Sequence, residues 1–312
     1  MNHNQHQQAV KKAVKAKFRG HTTLHSKRTP LYPDTAEREY MRITAGYVRL
    51  MNQVLRENLP EIMTEYRAQR TDGVRNDDLR DLESWLRQKF RQMAQELEKR
   101  VSVFGLERLV DKVSRMTQRM SLREWKKSVK DTLGIDLMDD YYSGEFYESI
   151  VHRWVDENVL KIKTLPQNTL DEMQQIILHG FKSGSTIRDI TKEIQREYGV
   201  TRRRARTLAR DQIATLNSQI TKAQQQDAGC NRYRWSDSRD SRVRECHHAL
   251  NGKIFSWDDP PEMWYTTKKR GVVRTGRRCH PGEDYCCRCI AIPVFDYETL
   301  DVPIKETVSP KG

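Results

Sequence analysis

The strongest constraint on this chain is where its cysteines lie. All six, Cys230, Cys246, Cys279, Cys286, Cys287 and Cys289, fall in the last quarter of the 312 residues. Thiols this close together, with His247, His248 and His280 among them, define a small module completed by cross-links or a metal rather than by a large apolar core. The opening residues Met1–Gln8 lack the apolar run of a secretory leader. The chain is therefore expected to be cytosolic when made, where clustered thiols read as metal ligands before disulfides. Zinc takes four tetrahedral Cys and His ligands, commonly as two close pairs. Two sets fit: Cys246 and His247 with Cys286 and Cys289, or His247, His280, Cys287 and Cys289. Six reduced thiols without metal are the third alternative. Zinc held by either set is structural, because neither leaves an open position beside a general base.

Upstream of the cysteines the pattern is helical. Asp34 and Glu37 read as a capping box. Behind them Tyr40, Ile43, Tyr47, Leu50 and Val54 repeat at three and four, one face of a helix. Leu79, Leu82, Leu86, Phe90, Met93 and Leu97 predict a second helix, and Leu106, Leu109, Val113 and Met116 a third. Ser121 with Glu124 reads as another capping box, opening a segment through Leu133. Pro166 opens a helix that closes near Gly180 or Gly184. Thr186 to Tyr198 predicts the next one, ended by Gly199. Thr201 to about Ala228 follows, with Gly229 as its stop. Helix pairs of this kind are commoner as packing units than as DNA-reading motifs. After Gly229, Tyr233–Trp235, Lys253–Phe255 and Ile290–Phe295 read as short strands between turn signals.

The expected fold class is α+β: a predominantly α-helical N-terminal region followed by a small β-containing C-terminal module. The expected divisions are a basic disordered arm at 1–33, a helical region at 34–150, a helical connector at 151–229, the Cys/His module at 230–297 and an exposed tail at 298–312.

Charge restricts the partners. The net charge is +13, and it is concentrated in acid-poor runs. Lys11, Lys12, Lys15 and Lys17 lie in a stretch without an acid before Asp34. Arg202, Arg203, Arg204 and Arg206 form a second group, and Lys268, Lys269 and Arg270 a third. Such runs attract polyphosphate without reading its sequence. No apolar stretch reaches the roughly 18–20 residues of a membrane span, so a membrane partner is not expected. Phosphate-cradling and dinucleotide glycine motifs are absent. The cysteines lack a nucleophile elbow, and the histidines lack the spacing of a ββα-metal nuclease, so no catalytic residue is assigned.

One ordered series runs through the last third: Ala205-Arg206-Thr207-Leu208-Ala209-Arg210-Asp211-Gln212, Asp227-Ala228-Gly229, Tyr233-Arg234-Trp235, Asp240-Ser241-Arg242-Val243-Arg244, His247-His248-Ala249-Leu250-Asn251-Gly252-Lys253, Asp258-Asp259-Pro260-Pro261, Pro281-Gly282 and Cys287-Arg288-Cys289. In order and spacing it resembles the Mu F-like minor head proteins of the phage head morphogenesis family, over roughly residues 200–297. The resemblance implies a bacteriophage minor head protein, not an enzyme. It would sit inside the procapsid and virion near the portal vertex, with the portal protein, other head proteins and nonspecifically held DNA as partners. The alternatives are a zinc-dependent nucleic-acid-binding protein and a metal-dependent nuclease.

Two departures matter. Many family members carry Cys-x-x-Cys where this chain has Arg244 and His247, and many close with His-Pro-x-Cys-Arg-Cys, whereas here Gly282 to Cys286 separate Pro281 from Cys287. Trp235, Asp240, Arg244, Gly252 and Arg288 are expected to define the module: Trp235 as core, Gly252 at a turn with positive φ, and Asp240 and Arg244 as an internal ion pair.

Overall fold

The computed structural model describes residues 3–69, 76–138 and 140–304. Seven helices and six strands follow in the order α1 (His3–Phe18), β1 (Thr23–His25), α2 (Asp34–Ala68), α3 (Asn76–Phe104), α4 (Leu106–Leu133), α5 (Glu145–Ser183), α6 (Ile187–Asp227), β2 (Arg232–Ser236), α7 (Glu245–Leu250), β3 (Ile254–Ser256), β4 (Glu262–Thr267), β5 (Gly271–Arg278) and β6 (Ile290–Asp296). The α+β class read from the sequence is the class observed. The chain forms two compact units, each discontinuous in sequence. The first contains residues 1–36, 114–154 and 211–312, and the second 37–113 and 155–210. A linear division at 150, 229 and 297 does not describe them.

The elements described in the second unit are all helices. The predicted stripes supply its core: Tyr40, Ile43, Tyr47 and Val54 on α2, Leu82, Leu86, Phe90, Met93 and Leu97 on α3, and Leu106 and Val113 on α4 are all buried. The side chain of Leu79 lies outside the described residues. Polar groups drawn into this core are partnered, as burial requires: Tyr40 Oη donates to Asn158 Oδ1 at 2.7 Å, and the hydroxyls of Thr169 and Thr201 meet at 2.9 Å. Where α5 turns into α6 the helices pass so closely that a Cβ on Gly180 would lie 2.7 Å from Ile190 Cγ1.

Two predicted helix boundaries are absent. α5 runs through Pro166 and α6 through Gly199. A helical proline removes one hydrogen bond and costs about 3 kcal/mol, and a helical glycine about 1 kcal/mol. Buried neighbours offset these local costs: Ile162, Leu170 and Met173 around Pro166, and Ile194 and Ala205 around Gly199. Similarly, Ser121 and Glu124 stand inside α4 rather than at its start. Glu124 is buried and accepts from Arg28 Nη2 at 3.1 Å and from the Leu31 amide at 3.2 Å. Its carboxylate therefore anchors the N-terminal segment instead of capping a helix.

The first unit is built on a four-stranded antiparallel sheet in the order β1-β6-β2-β3. β2, β3 and β6 are the strands expected from sequence; the β4–β5 hairpin was not foreseen. β6 is central and its first six residues are buried, which explains its unbroken apolar run. Pro293 is tolerated there because β1 pairs only with residues 294–296. The Pro293 carbonyl accepts from the Ser26 amide just past the end of β1, so on that edge its missing N–H breaks no ladder bond.

One core of this unit gathers Val10, Val14, Phe18, Trp125, Val129, Phe295, Leu300 and Val302. The expectation of a disordered arm at 1–33 is thus corrected. Val10, Val14 and Phe18 recur every four residues on one face of α1, a stripe too narrow to stand out in so polar a segment, and β1 adds an edge strand. The expected exposed tail is corrected as well: Leu300 and Val302 are fully buried. Residues 305–312 lie outside the described residues. Gly229 (φ +73°) backs directly onto this segment, since a Cβ there would lie 1.8 Å from the Thr299 carbonyl oxygen.

Phe18→Ala should lower stability by about 3–5 kcal/mol, the usual cost of emptying a buried phenylalanine site. Urea denaturation of the full chain checks this; an unaltered midpoint would restore the draped-arm reading.

Candidate metal centre

The second core of the first unit lies around β2 and α7 and contains Tyr233, Trp235, Cys246, Leu250, Trp257, Met263, Cys287, Cys289 and Ala291. Three donors converge within it. His247 stands on α7, and Cys287 and Cys289 lie on the segment entering β6. All three are buried, and their ligand atoms lie within 4.8 Å of one another. His247 Nδ1 is 3.6 Å from Cys287 Sγ and 3.7 Å from Cys289 Sγ. The Cys-Arg-Cys spacing achieves this because alternate residues of an extended chain point the same way. Arg288, between the two thiols, instead places its guanidinium 5.4 Å from the ring of Tyr32.

Asp284 organises the cluster. It is 3% exposed, and its Oδ2 meets His247 Nε2 at 3.1 Å and Arg244 Nη1 at 3.0 Å. Its Oδ1 accepts from Arg277 Nη1 at 2.9 Å. Burial alone would raise the Asp284 carboxyl, but the His247 hydrogen bond and the two guanidinium charges outweigh it and bring the value down to about 2. Burial likewise pulls His247 down, yet Asp284 and the Cys287 sulfur push it up to about 9. The hydrogen bond from Cys289 holds Cys287 well below an ordinary thiol, with His247 adding to it. The same bond, with burial, drives Cys289 up. Cys287 Sγ also accepts from the amides of Gly282 and Cys289, both at 3.4 Å.

The loop carrying Asp284 is fixed to α6. Asp211 Oδ1 accepts from the Cys286 amide at 2.9 Å. Gly282, at φ +87°, approaches the Ala214 carbonyl so closely that a Cβ would lie 2.9 Å from it.

Neither ligand set read from the sequence is assembled whole. Cys246 is buried in the same core but outside the converging group, and Cys286, at φ +53°, is half-exposed and also outside it. His280 is turned away: its Nδ1 meets Tyr233 Oη at 2.9 Å and its ring packs on Trp257. Burial lowers its basicity, and Lys222 adds to this. Trp235 is core and Gly252 has φ +80°, as expected. The expected Asp240–Arg244 pair is replaced. Asp240 accepts from Arg242 Nη2 at 3.2 Å, and Arg244 turns to Asp284. Asp284 and Arg277 were missed, although Asp284 lies within the five residues that interrupt the His-Pro-x-Cys-Arg-Cys pattern. From that stretch Asp284 bonds both Arg244 and His247.

The basic groups differ in how far they are neutralised. Lys11 pairs with Glu298 at 3.3 Å, and Arg204 with Glu172 at 3.0 Å. Lys12, Lys15 and Lys17 are exposed on α1. Arg202 and Arg206 line a cavity of about 350 Å³ with Arg49 and Tyr198, and Arg203 is exposed beside them. Lys268, Lys269 and Arg270 form the exposed turn of the β4–β5 hairpin. At the base of that hairpin Arg274 pairs with Glu262, and Arg278 with Asp259.

Fold and site define an α+β protein whose C-terminal module is organised round a buried His–Cys–Cys group. Residues 171–292 match the family model described as Phage Mu protein F like protein. A protein of Haemophilus influenzae described as uncharacterized is 32% identical over 173 residues, 55% of this chain and 36% of that one. Minor head protein GP7 of Bacillus phage SPP1 is 26% identical over 164 residues, 49% of this chain and 52% of that one. The chain thus spans only about a third to a half of these relatives' lengths. No solved structure matches it.

Asp284→Asn should cost about 2–3 kcal/mol, the scale for hydrogen bonds to a charged group. Asp240→Asn, at a more exposed turn, should stay within about 0.5 kcal/mol. Equal losses for the two variants in denaturant titration would remove Asp284 from its organising place.

Proposed function

We propose that the protein is a bacteriophage minor head protein that acts in head morphogenesis by binding and positioning. The match of residues 171–292 to the Mu F-like family carries this reading, and the relative named as a minor head protein supports it. On this reading the partners are the portal protein and other head proteins, and the location is the procapsid and virion interior near the portal vertex. No helix among the described residues is long and apolar enough to cross a membrane.

Assembly is favoured over bond chemistry by burial. Cys287, His247 and Asp284 stand in the order a thiol hydrolase would use, but they are 3%, 2% and 3% exposed. A metal-dependent nuclease would likewise need its metal beside a scissile phosphate, and this donor set is enclosed in core. The test is fractionation of infected cells: the protein should band with gradient-purified procapsids and virions. Confinement to the soluble fraction would overturn the proposal.

Nonspecific contact with packaged DNA is part of the same proposal. The hairpin turn is its best-placed element, because Lys268, Lys269 and Arg270 are exposed and, among the described residues, none makes an ion pair with a carboxylate. Replacing all three by Ala should reduce the slope of log affinity against log salt by about 2–3, near 0.9 per lost phosphate contact. An unchanged slope in filter binding across a salt series would remove the hairpin from the DNA contact.

A further inference from the structure

We propose that His247, Cys287 and Cys289 bind one zinc ion through Nδ1, Sγ and Sγ, as a clamp between α7 and the segment entering β6. Zinc–nitrogen bonds of about 2.0–2.1 Å and zinc–sulfur bonds of about 2.3 Å at tetrahedral angles separate nitrogen from sulfur by about 3.6 Å. The two separations here are 3.6 and 3.7 Å. The donor atoms are thus already spaced for a tetrahedral ion they could share.

Three further observations point the same way. The histidine nitrogen facing away from the thiols meets Asp284 Oδ2 at 3.1 Å, the carboxylate–histidine arrangement that fixes the orientation of a ligating imidazole. Arg244 and Arg277 hold that carboxylate in place. Cys287 Sγ already accepts two backbone amides, which favour sulfur carrying negative charge. Finally, Trp235 Nε1 is buried with no oxygen or nitrogen acceptor and turns to the Cys289 sulfur, and its ring packs 5.5 Å from that of His247. A buried donor of this kind is costly to leave unpaired, and metal-bound thiolate sulfur in this core supplies an acceptor.

The ligand set differs from both sets read from sequence. His280 is bonded to Tyr233, and Cys286 lies outside the group. Among the described residues no fourth Cys, His or carboxylate joins the three. The fourth position therefore falls to an exogenous ligand such as water.

The test is metal analysis of the full chain, purified without chelator under reducing conditions, with cobalt substitution as an optical readout. One zinc per chain is expected, and the cobalt form should show the charge-transfer absorption of two thiolates. Cys287→Ser or Cys289→Ser should lose the metal, and Cys286→Ser should keep it. His247→Cys should keep the metal and add a third thiolate to the cobalt spectrum, a result independent of whether the serine variants fold. Three outcomes overturn the proposal: a wild-type chain that takes up no zinc or cobalt, retention unaffected by the paired Cys287→Ser and Cys289→Ser changes, or loss in Cys286→Ser alone. These readouts do not depend on assembly, so they stand apart from the head-protein reading.

Discussion

The C-terminal module turns on one buried carboxylate. A lone ionised Asp284 in this core would cost several kcal/mol, so its position is sustained only by the groups gathered around it. His247 takes one oxygen with Arg244, and Arg277 takes the other. The two guanidiniums are partly exposed, so they neutralise the carboxylate while keeping contact with water. With both oxygens occupied, the His247 ring has one orientation, and that orientation aims Nδ1 at the two sulfurs. Arg244 also reaches the Tyr285 carbonyl, which fastens the loop on either side of the charge.

The sheet gives this arrangement something rigid to stand on. β6 is covered on both faces, since its first six residues are buried, and along its length it joins the two cores, with Phe295 in one and Ala291 in the other. The first core draws on α1 and on Leu300 and Val302 from beyond the last strand. The second holds the thiols and the histidine. Tyr233 and Trp235 of β2 pack into the thiol core, and Tyr233 holds His280 away from the His–Cys–Cys group through its hydroxyl. A module this small gains much from whatever ties α7 to the segment before β6. Asp284 does so through charge, and a shared ion would do so through coordination.

The resemblance to the Mu F-like family is instructive where it departs from pattern. Replacing a Cys-x-x-Cys pair by Arg244 and His247 would remove two soft ligands. Histidine returns one nitrogen donor, and the arginine becomes a partner for a carboxylate that the interrupted His-Pro segment supplies. Charge is sorted in a comparable way along the β4–β5 hairpin. Its base arginines are tied to Glu262, Asp259 and Asp284, and its turn presents Lys268, Lys269 and Arg270 to solvent.

Periodicity and composition by themselves determined the helical first part, the strands β2, β3 and β6, and the region where thiols and histidine meet. These follow from local rules, since side chains three or four apart share a helix face and apolar runs mark covered strands. What only the tertiary structure decided is which of those groups are neighbours. The helix through Gly199 continues because distant side chains bury its face. α1 is ordered by three residues that matter only once Trp125 and Phe295 are beside them. His247 was separated from His280, and Asp284 was brought to Arg244 across forty positions of sequence. No local rule contains those pairings, because the free energy of burying and neutralising a charge belongs to the assembled core and not to any segment of chain.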